Sequence, residues 1–310
     1  MIKHYIMIAG PTASGKSKLA IEMARRTDGV IINADSMQLY KDLAVVTARP
    51  SDADMAQAPH RLYGVLDGHV RASVAMWLDM AATEMRGAWE AGKTPIIIGG
   101  TGMYLNAGLY GLASIPDVPR NIHDNAVTLH AEIGGAGFRQ ALAALDPVTA
   151  ERLYDGDTQR LIRAMGVVQA TGRPISAWQQ DPHEGAFEGV ATTIKLLPAR
   201  DILYQRINTR FDMMIEAGAL DEVQKLVARN LDPGLPVMKA LGVRQLSAYL
   251  AGDVAKADAV RQAQQDSRHY AKRQMTWLRN NFNAKFEVNE KYSESFFENI
   301  FNNLRENRLT

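Results

Sequence analysis

Gly10-Pro-Thr-Ala-Ser-Gly-Lys-Ser17 satisfies every fixed position of the phosphate-cradling pattern G-x-x-x-x-G-K-[ST]. Its flanks agree with that reading. His4 to Ala9 is a short apolar run suited to a buried strand, and Lys18 to Thr27 carries helical spacing with Leu19, Ile21 and Met23. Gly10 and Gly15 let the successive backbone N–H groups of the loop converge on an anion. Lys16 reaches outer phosphates, and the Ser17 hydroxyl is placed to hold a phosphate-bound Mg²⁺. The candidate anion-binding set is therefore Gly10, Pro11, Thr12, Ala13, Ser14, Gly15, Lys16 and Ser17. A glycine turn that merely joins strand to helix is the alternative, and the loop alone does not say which phosphate ester it holds.

With 310 residues, 46% of them hydrophobic, the chain can bury one large core or two smaller ones. One α/β domain with an elaboration is the natural expectation. A formal net charge of +1 does not point to nucleic acid by itself, so the distribution of charge has to decide. Cysteine is absent, which excludes disulfides and thiolate metal sites. Nothing at the N-terminus resembles a secretory segment and no apolar run approaches the ~20 residues that span a bilayer, so a cytoplasmic protein is expected.

Further along, Val30 to Asp35 reads as a second buried strand, and ligands of an open parallel sheet gather at the carboxyl ends of its strands. Asp35 therefore points into the site, where it can accept a substrate proton, serve as the N-cap of the next turn, or do both. It opens Asp35-Ser-Met-Gln38, with Tyr40 close behind; Thr47-Ala-Arg-Pro50 offers Arg49 to a phosphate or to solvent. Leu62 to Asp67 suggests another strand and Val74 to Ala91 an amphipathic helix. Thr94 to Gly99 is a fully apolar strand that runs into Gly99-Gly-Thr-Gly102. Small residues there let a ligand approach the backbone and Thr101 offers a hydroxyl, although a tight turn without ligand is the bland alternative.

Near Ile115 the alternation of strand and helix stops. Candidate helices at 120–133, 138–145, 147–153, 158–171 and 175–180 fill a helical insertion over residues 119–190, and strand character returns at Thr192 to Pro198. Within the insertion, Gln159, Arg160 and Arg163 follow Asp157-Thr158 on one turn, while Leu161, Ile162, Met165 and Val168 pack inward. Helices are then expected at 200–217, 220–230, 237–250 and 254–280. Arg206 and Arg210 recur at helical spacing, which makes either a candidate phosphate clamp. The long helix carries Arg268, His269, Lys272, Arg273 and Arg279 with Tyr270 and Trp277 interleaved, a mixture that suits a nucleic-acid backbone. Phe286, Phe296, Phe297, Ile300, Phe301 and Leu304 can pack a final helix. The expected fold class is α/β: a P-loop NTPase-like parallel-sheet core over 1–118 and 191–310 with a helical insertion and a helical C-terminal part.

Taken together, seven blocks resemble the tRNA dimethylallyltransferase (tRNA isopentenyltransferase) family nearly end to end. They are Gly10 to Ser17, Asp35 to Gln38 with Tyr40, Thr47 to Pro50, Pro59-His-Arg-Leu62, Gly99-Gly-Thr-Gly-Met-Tyr-Leu105, Gln159-Arg-Leu-Ile-Arg163 and Tyr270-Ala-Lys-Arg-Gln-Met-Thr-Trp277. The resemblance implies transfer of a dimethylallyl group from dimethylallyl diphosphate to N6 of the adenine next to the anticodon, with Mg²⁺ as cofactor and a monomeric enzyme. Asp35, Thr101 and Arg210 would be catalytic, and the P-loop would bind the diphosphate with Ser17 on the metal. The implied tRNA contacts are Asp35, Ser36, Met37, Gln38, Thr101, His123, Gln159, Arg160, Leu161, Ile162, Arg163, Arg244, Lys272, Arg273, Gln274, Trp277 and Arg279. Two positions depart from the family: His123 stands where an Arg is expected, and Val243 replaces the aromatic of a Gly-Tyr-[Lys/Arg] block. A small-molecule kinase and a non-catalytic RNA-binding NTPase are the competing readings. A kinase needs an Arg-rich lid over a γ-phosphate, whereas the basic residues here crowd a C-terminal helix.

Overall fold

The computed structural model describes residues 2–289 and 294–306, with side chains of the last helix described as far as residue 303. Two compact units result: Met1–Leu109 together with Phe187–Thr310, and Tyr110–Ala186. In the first unit six strands form one all-parallel sheet in the order β3-β2-β4-β1-β5-β6, with β1 His4–Ala9, β2 Gly29–Asn33, β3 His60–Arg61, β4 Thr94–Gly99, β5 Val190–Leu196 and β6 Phe286–Val288. The strand holding the P-loop at its end is central: Ile6 is in register with Ile96 on one side and Thr192 on the other. Strands buried on both faces read as continuous apolar runs. That is why His4–Ala9 and Thr94–Gly99 are recognisable from sequence.

Alternation sends Ile6, Ile8, Ile31, Ile96, Ile98, Ile194 and Leu196 to one face, under α1 (Lys16–Thr27) and the last helix (Glu294–Glu306), which contributes Phe297 and Ile300. The side chain of Leu304, expected to join that packing, lies outside the described residues. Two short tryptophan ties hold the helix Val74–Glu90 to the sheet: Trp77 Nε1 donates to the Asn33 carbonyl at 2.7 Å and Trp89 Nε1 to the His4 carbonyl at 2.8 Å. After β5 come the helices Arg200–Glu216, Ala219–Ala228, Val243–Leu250 and Lys256–Asn281. They share a core with the Tyr40–Val46 segment, in which Phe211, Val223, Val243 and Leu246 are buried.

Two expected elements differ. Beyond Arg61 the chain does not continue as a strand through Asp67, because Leu62 and Gly64 adopt φ of 63° and 62°, left-handed values that end a ladder. Likewise the helix expected over 237–250 is a 3₁₀ turn at Pro236–Lys239 and a separate helix from Val243, divided where Gly242 takes a φ of 90°.

The second unit packs the helices Arg120–Ala143, Pro147–Arg152, Thr158–Thr171 and Ile175–Trp178 around Phe138, Leu142, Leu161, Met165 and Val168. Gly134, with φ 68° and ψ 173°, breaks the first of these where the sequence reading separates two helices. This unit begins and ends earlier than the expected 119–190. Its base is closed by Leu112 pairing with Glu184, a contact with no compositional signature.

Candidate active site

The carboxyl ends of β1, β2 and β4 are laced to one another over one cleft. Gly10 N–H donates to the Gly99 carbonyl at 3.2 Å, and Ala34 N–H donates to the Ile98 carbonyl at 2.7 Å. A Cβ on Gly99 would meet the Ala34 oxygen at 2.2 Å, and one on Gly100 would meet the Gly10 oxygen at 2.9 Å. The close approach of these turns therefore requires glycine.

Within the P-loop Ala13 and Gly15 take φ of 62° and 93°, the alternation that turns successive N–H groups into a concave nest. Gly15 starts α1 with no side-chain cap, leaving first-turn donors and the positive end of the helix to the loop. Ser17 is exposed at the same end. Lys16 is half-buried and its Nζ donates to the Pro11 carbonyl at 3.3 Å. Burial lowers its pKa to about 8, with Asp35 pulling upward and Arg210 adding to the depression. Arg210 Nη2 donates to the Thr12 hydroxyl. Burial lowers the Arg210 pKa too, against the pull of Asp35, yet a guanidinium stays charged. Arg210 thus touches the loop directly, whereas Arg206 lines a groove of about 1300 Å³ that also includes Ala13, Ser14 and Gly15 of the loop with Lys18, Lys195 and Arg279.

Asp35 lies two residues past β2 and is held by Asn33, whose Oδ1 accepts the Asp35 N–H at 2.8 Å. Its own Oδ1 accepts the Met37 N–H at 3.0 Å. It is therefore a turn cap and also a cleft carboxylate, because its charge acts on Lys16, Arg210 and the phenol of Tyr270. Thr101 Oγ1 accepts the Ser36 N–H at 3.1 Å and lies near the Tyr270 phenol. Burial, reinforced by Asp35, pushes the pKa values of Tyr63, Tyr104 and Tyr270 up, so the carboxylate is ringed by neutral phenols.

The helix Lys256–Asn281 divides its residues by face. Lys272, Arg273 and Arg279 are exposed, with the Arg273 guanidinium 5.7 Å from the Tyr270 ring. Gln274 is buried and Trp277 packs on the glycine turn, where a Cβ on Gly102 would meet its ring at 2.4 Å. Those two side chains face the P-loop and the glycine turn. A linear reading of the tract merged both faces; Tyr270, Gln274 and Trp277 at i, i+4 and i+7 are the stripe that separates them.

Elsewhere the expected contacts also divide. Gln38 donates to the carbonyls of Thr47 and Ala48 at 2.8 and 3.2 Å, and Met37 packs on the neighbouring core. Arg49 is half-buried and donates through Nη1 to the Tyr40 carbonyl at 3.4 Å. Arg244 is exposed, whereas Val243 is buried and offers no stacking face. In the second unit Gln159, Arg160, Arg163 and His123 are exposed, while Leu161 and Ile162 lie in its core.

Comparison with known proteins decides the family. A family model described as IPP transferase matches residues 38–281. The chain belongs to that family. A tRNA dimethylallyltransferase of Paramagnetospirillum magneticum is 50% identical over 305 residues, 98% of this chain and 97% of that protein. The crystal structure of a full-length tRNA isopentenylpyrophosphate transferase from Bacillus halodurans has a TM-score of 0.70 at 30% identity, covering 99% of this chain and 97% of that one. A eukaryotic dimethylallyltransferase described as acting on tRNA gives a TM-score of 0.76 at 25% identity, covering 89% and 70%. Among the described residues no helix is long and apolar enough to cross a membrane.

Proposed function

We propose that the protein transfers a dimethylallyl group from dimethylallyl diphosphate to N6 of the adenine 3′-adjacent to the anticodon of tRNA, giving N6-dimethylallyladenosine. The observation that carries this reading is one cleft in which a P-loop, bridged to Arg210, faces a carboxylate that acts electrostatically on both Lys16 and Arg210. The C–O bond to the α-phosphate breaks and its electron pair leaves with the diphosphate, where the loop N–H groups, Lys16 and Arg210 meet the growing charge. N6 supplies the pair for the new C–N bond and gives up a proton to Asp35. Thr101, held by the Ser36 N–H, places the amine. Ser17 fits a Mg²⁺ site because it is an exposed hydroxyl-bearing residue in the uncapped first turn of α1, beside the loop N–H groups that would hold the diphosphate. Held by Ser17 and by diphosphate and water oxygens, the ion would neutralise leaving-group charge.

Docking of tRNA is assigned to the exposed Lys272, Arg273, Arg279 and Arg244 of the first unit and to Gln159, Arg160, Arg163 and His123 of the second. A monomeric enzyme acting in the cytoplasm completes the proposed reading. The test is to incubate purified protein with unmodified tRNA, Mg²⁺ and dimethylallyl diphosphate, with and without ATP, and to follow prenylated adenosine and ADP by mass spectrometry. Prenylation without ATP is expected. No prenylation together with stoichiometric phosphorylation of a metabolite would assign the chain to the kinases.

A further inference from the structure

Gln274 is 6% exposed, and both ends of its carboxamide are engaged. Oε1 accepts the Thr12 N–H at 2.9 Å, and Nε2 donates to the Gly100 carbonyl at 2.9 Å. One side chain from the C-terminal helix thus bridges the P-loop and the Gly99–Gly102 turn. The fit is tight, since a Cβ on Gly100 would lie 2.3 Å from Nε2. Thr12 is gripped a second time through its hydroxyl by Arg210. A buried amide used as donor and acceptor at once specifies the spacing of its two partners, because losing either bond leaves a desolvated group unpaired.

We propose that Gln274 is a positioning residue for prenyl transfer: it holds the P-loop, which carries the diphosphate, at a fixed separation from the turn carrying Thr101, which places the acceptor. This rests on the function proposed above. The reacting carbon has to span donor and acceptor sides, so a loop that drifts by an ångström costs rate without costing tRNA affinity.

The experiment uses Gln274→Glu in the full-length protein. Ionised, the carboxylate still accepts from Thr12 but turns a lone pair toward the Gly100 carbonyl and adds charge behind the diphosphate. Protonated, it offers one donor and one acceptor and reproduces the glutamine. Lys16, Arg210, Asp35 and Tyr270 titrate or carry charge nearby, so the readout is the variant-to-wild-type ratio of single-turnover rates at each pH. The ratio is expected to be about 10- to 100-fold below one near pH 8 and to recover toward one near pH 5.5, with tRNA affinity unchanged throughout. A ratio flat with pH overturns the proposal. The second arm uses Gln274→Met, similar in length but without the two bonds. Inorganic diphosphate should bind it about tenfold more weakly than wild type, and equal affinity also overturns the proposal. This arm needs no prenylation, so it separates a failure of Gln274 from a failure of the proposed reaction.

Discussion

Replacing Asp35 by Asn separates its hydrogen bond to the Met37 N–H from the general-base task proposed for it. The asparagine Oδ1 can still accept the Met37 N–H, now 3.0 Å from Asp35 Oδ1, so the turn survives and only the charge is lost. Loss of a general base is expected to slow single-turnover transfer by about 10²- to 10⁴-fold with both substrates saturating. The charge has a second effect that fixes the conditions of the assay. Asp35 supports the protonated form of Lys16, whose pKa is about 8, so in the variant Lys16 loses its proton at lower pH than in wild type. Below that point Lys16 is charged in both proteins, and removing a carboxylate from beside an anion site should leave donor affinity equal or tighter. The expected signature at pH ~6.5 is therefore slower chemistry with undiminished binding of dimethylallyl diphosphate and tRNA, read by rapid quench and by equilibrium titration. Transfer within about threefold of wild type would refute the assignment and leave Asp35 as a cap alone.

Donor affinity should depend on pH through Lys16: below its free-state value of about 8 the ammonium exists in both states and affinity is flat. Above that value binding has to take up a proton, so affinity falls by up to about tenfold per pH unit. Calorimetry near pH 9 in buffers of different ionisation enthalpy should show that uptake, and Lys16→Ala should abolish it. Joint replacement of Lys272 and Arg273 by Ala should reduce the salt slope of tRNA binding by about 0.7 to 0.9 log units per lost phosphate contact. Turnover at saturating tRNA should hold; an unchanged slope with lower turnover counts against the assignment. Gly102→Ala drives a methyl into the Trp277 ring, 2.4 Å from the Cβ position, and should cost about 1–3 kcal/mol in urea unfolding.

What the sequence discloses here follows from how locally each feature is encoded. β1 and β4 are readable to the residue because both are apolar runs bounded by loop chemistry, and the P-loop is readable because its spacing is fixed. β3 consists of two residues whose pairing depends on β2, so nothing local marks it. Arg206 and Arg210 lie one helical turn apart, and only the fold shows which meets Thr12. The task of Gln274 was hidden for a similar reason: its partner Thr12 is 262 positions away, beyond the reach of any periodicity.

That separation also governs when the donor site comes into being during synthesis. The P-loop is among the first segments to leave the ribosome, yet β1 waits for β5 to complete its second flank, and Thr12 waits for Arg210 and then for Gln274. At about 5–20 residues per second the loop is untethered for roughly a quarter of a minute to a minute. Contacts of such long range also make the sheet slow to close. A chain cut short before the helix Lys256–Asn281 carries the whole phosphate-binding sequence but lacks the clamp on its backbone. Truncated or stalled products are therefore expected to hold inorganic diphosphate more weakly than the full-length chain, which an equilibrium titration of a chain ending before Lys256 would read.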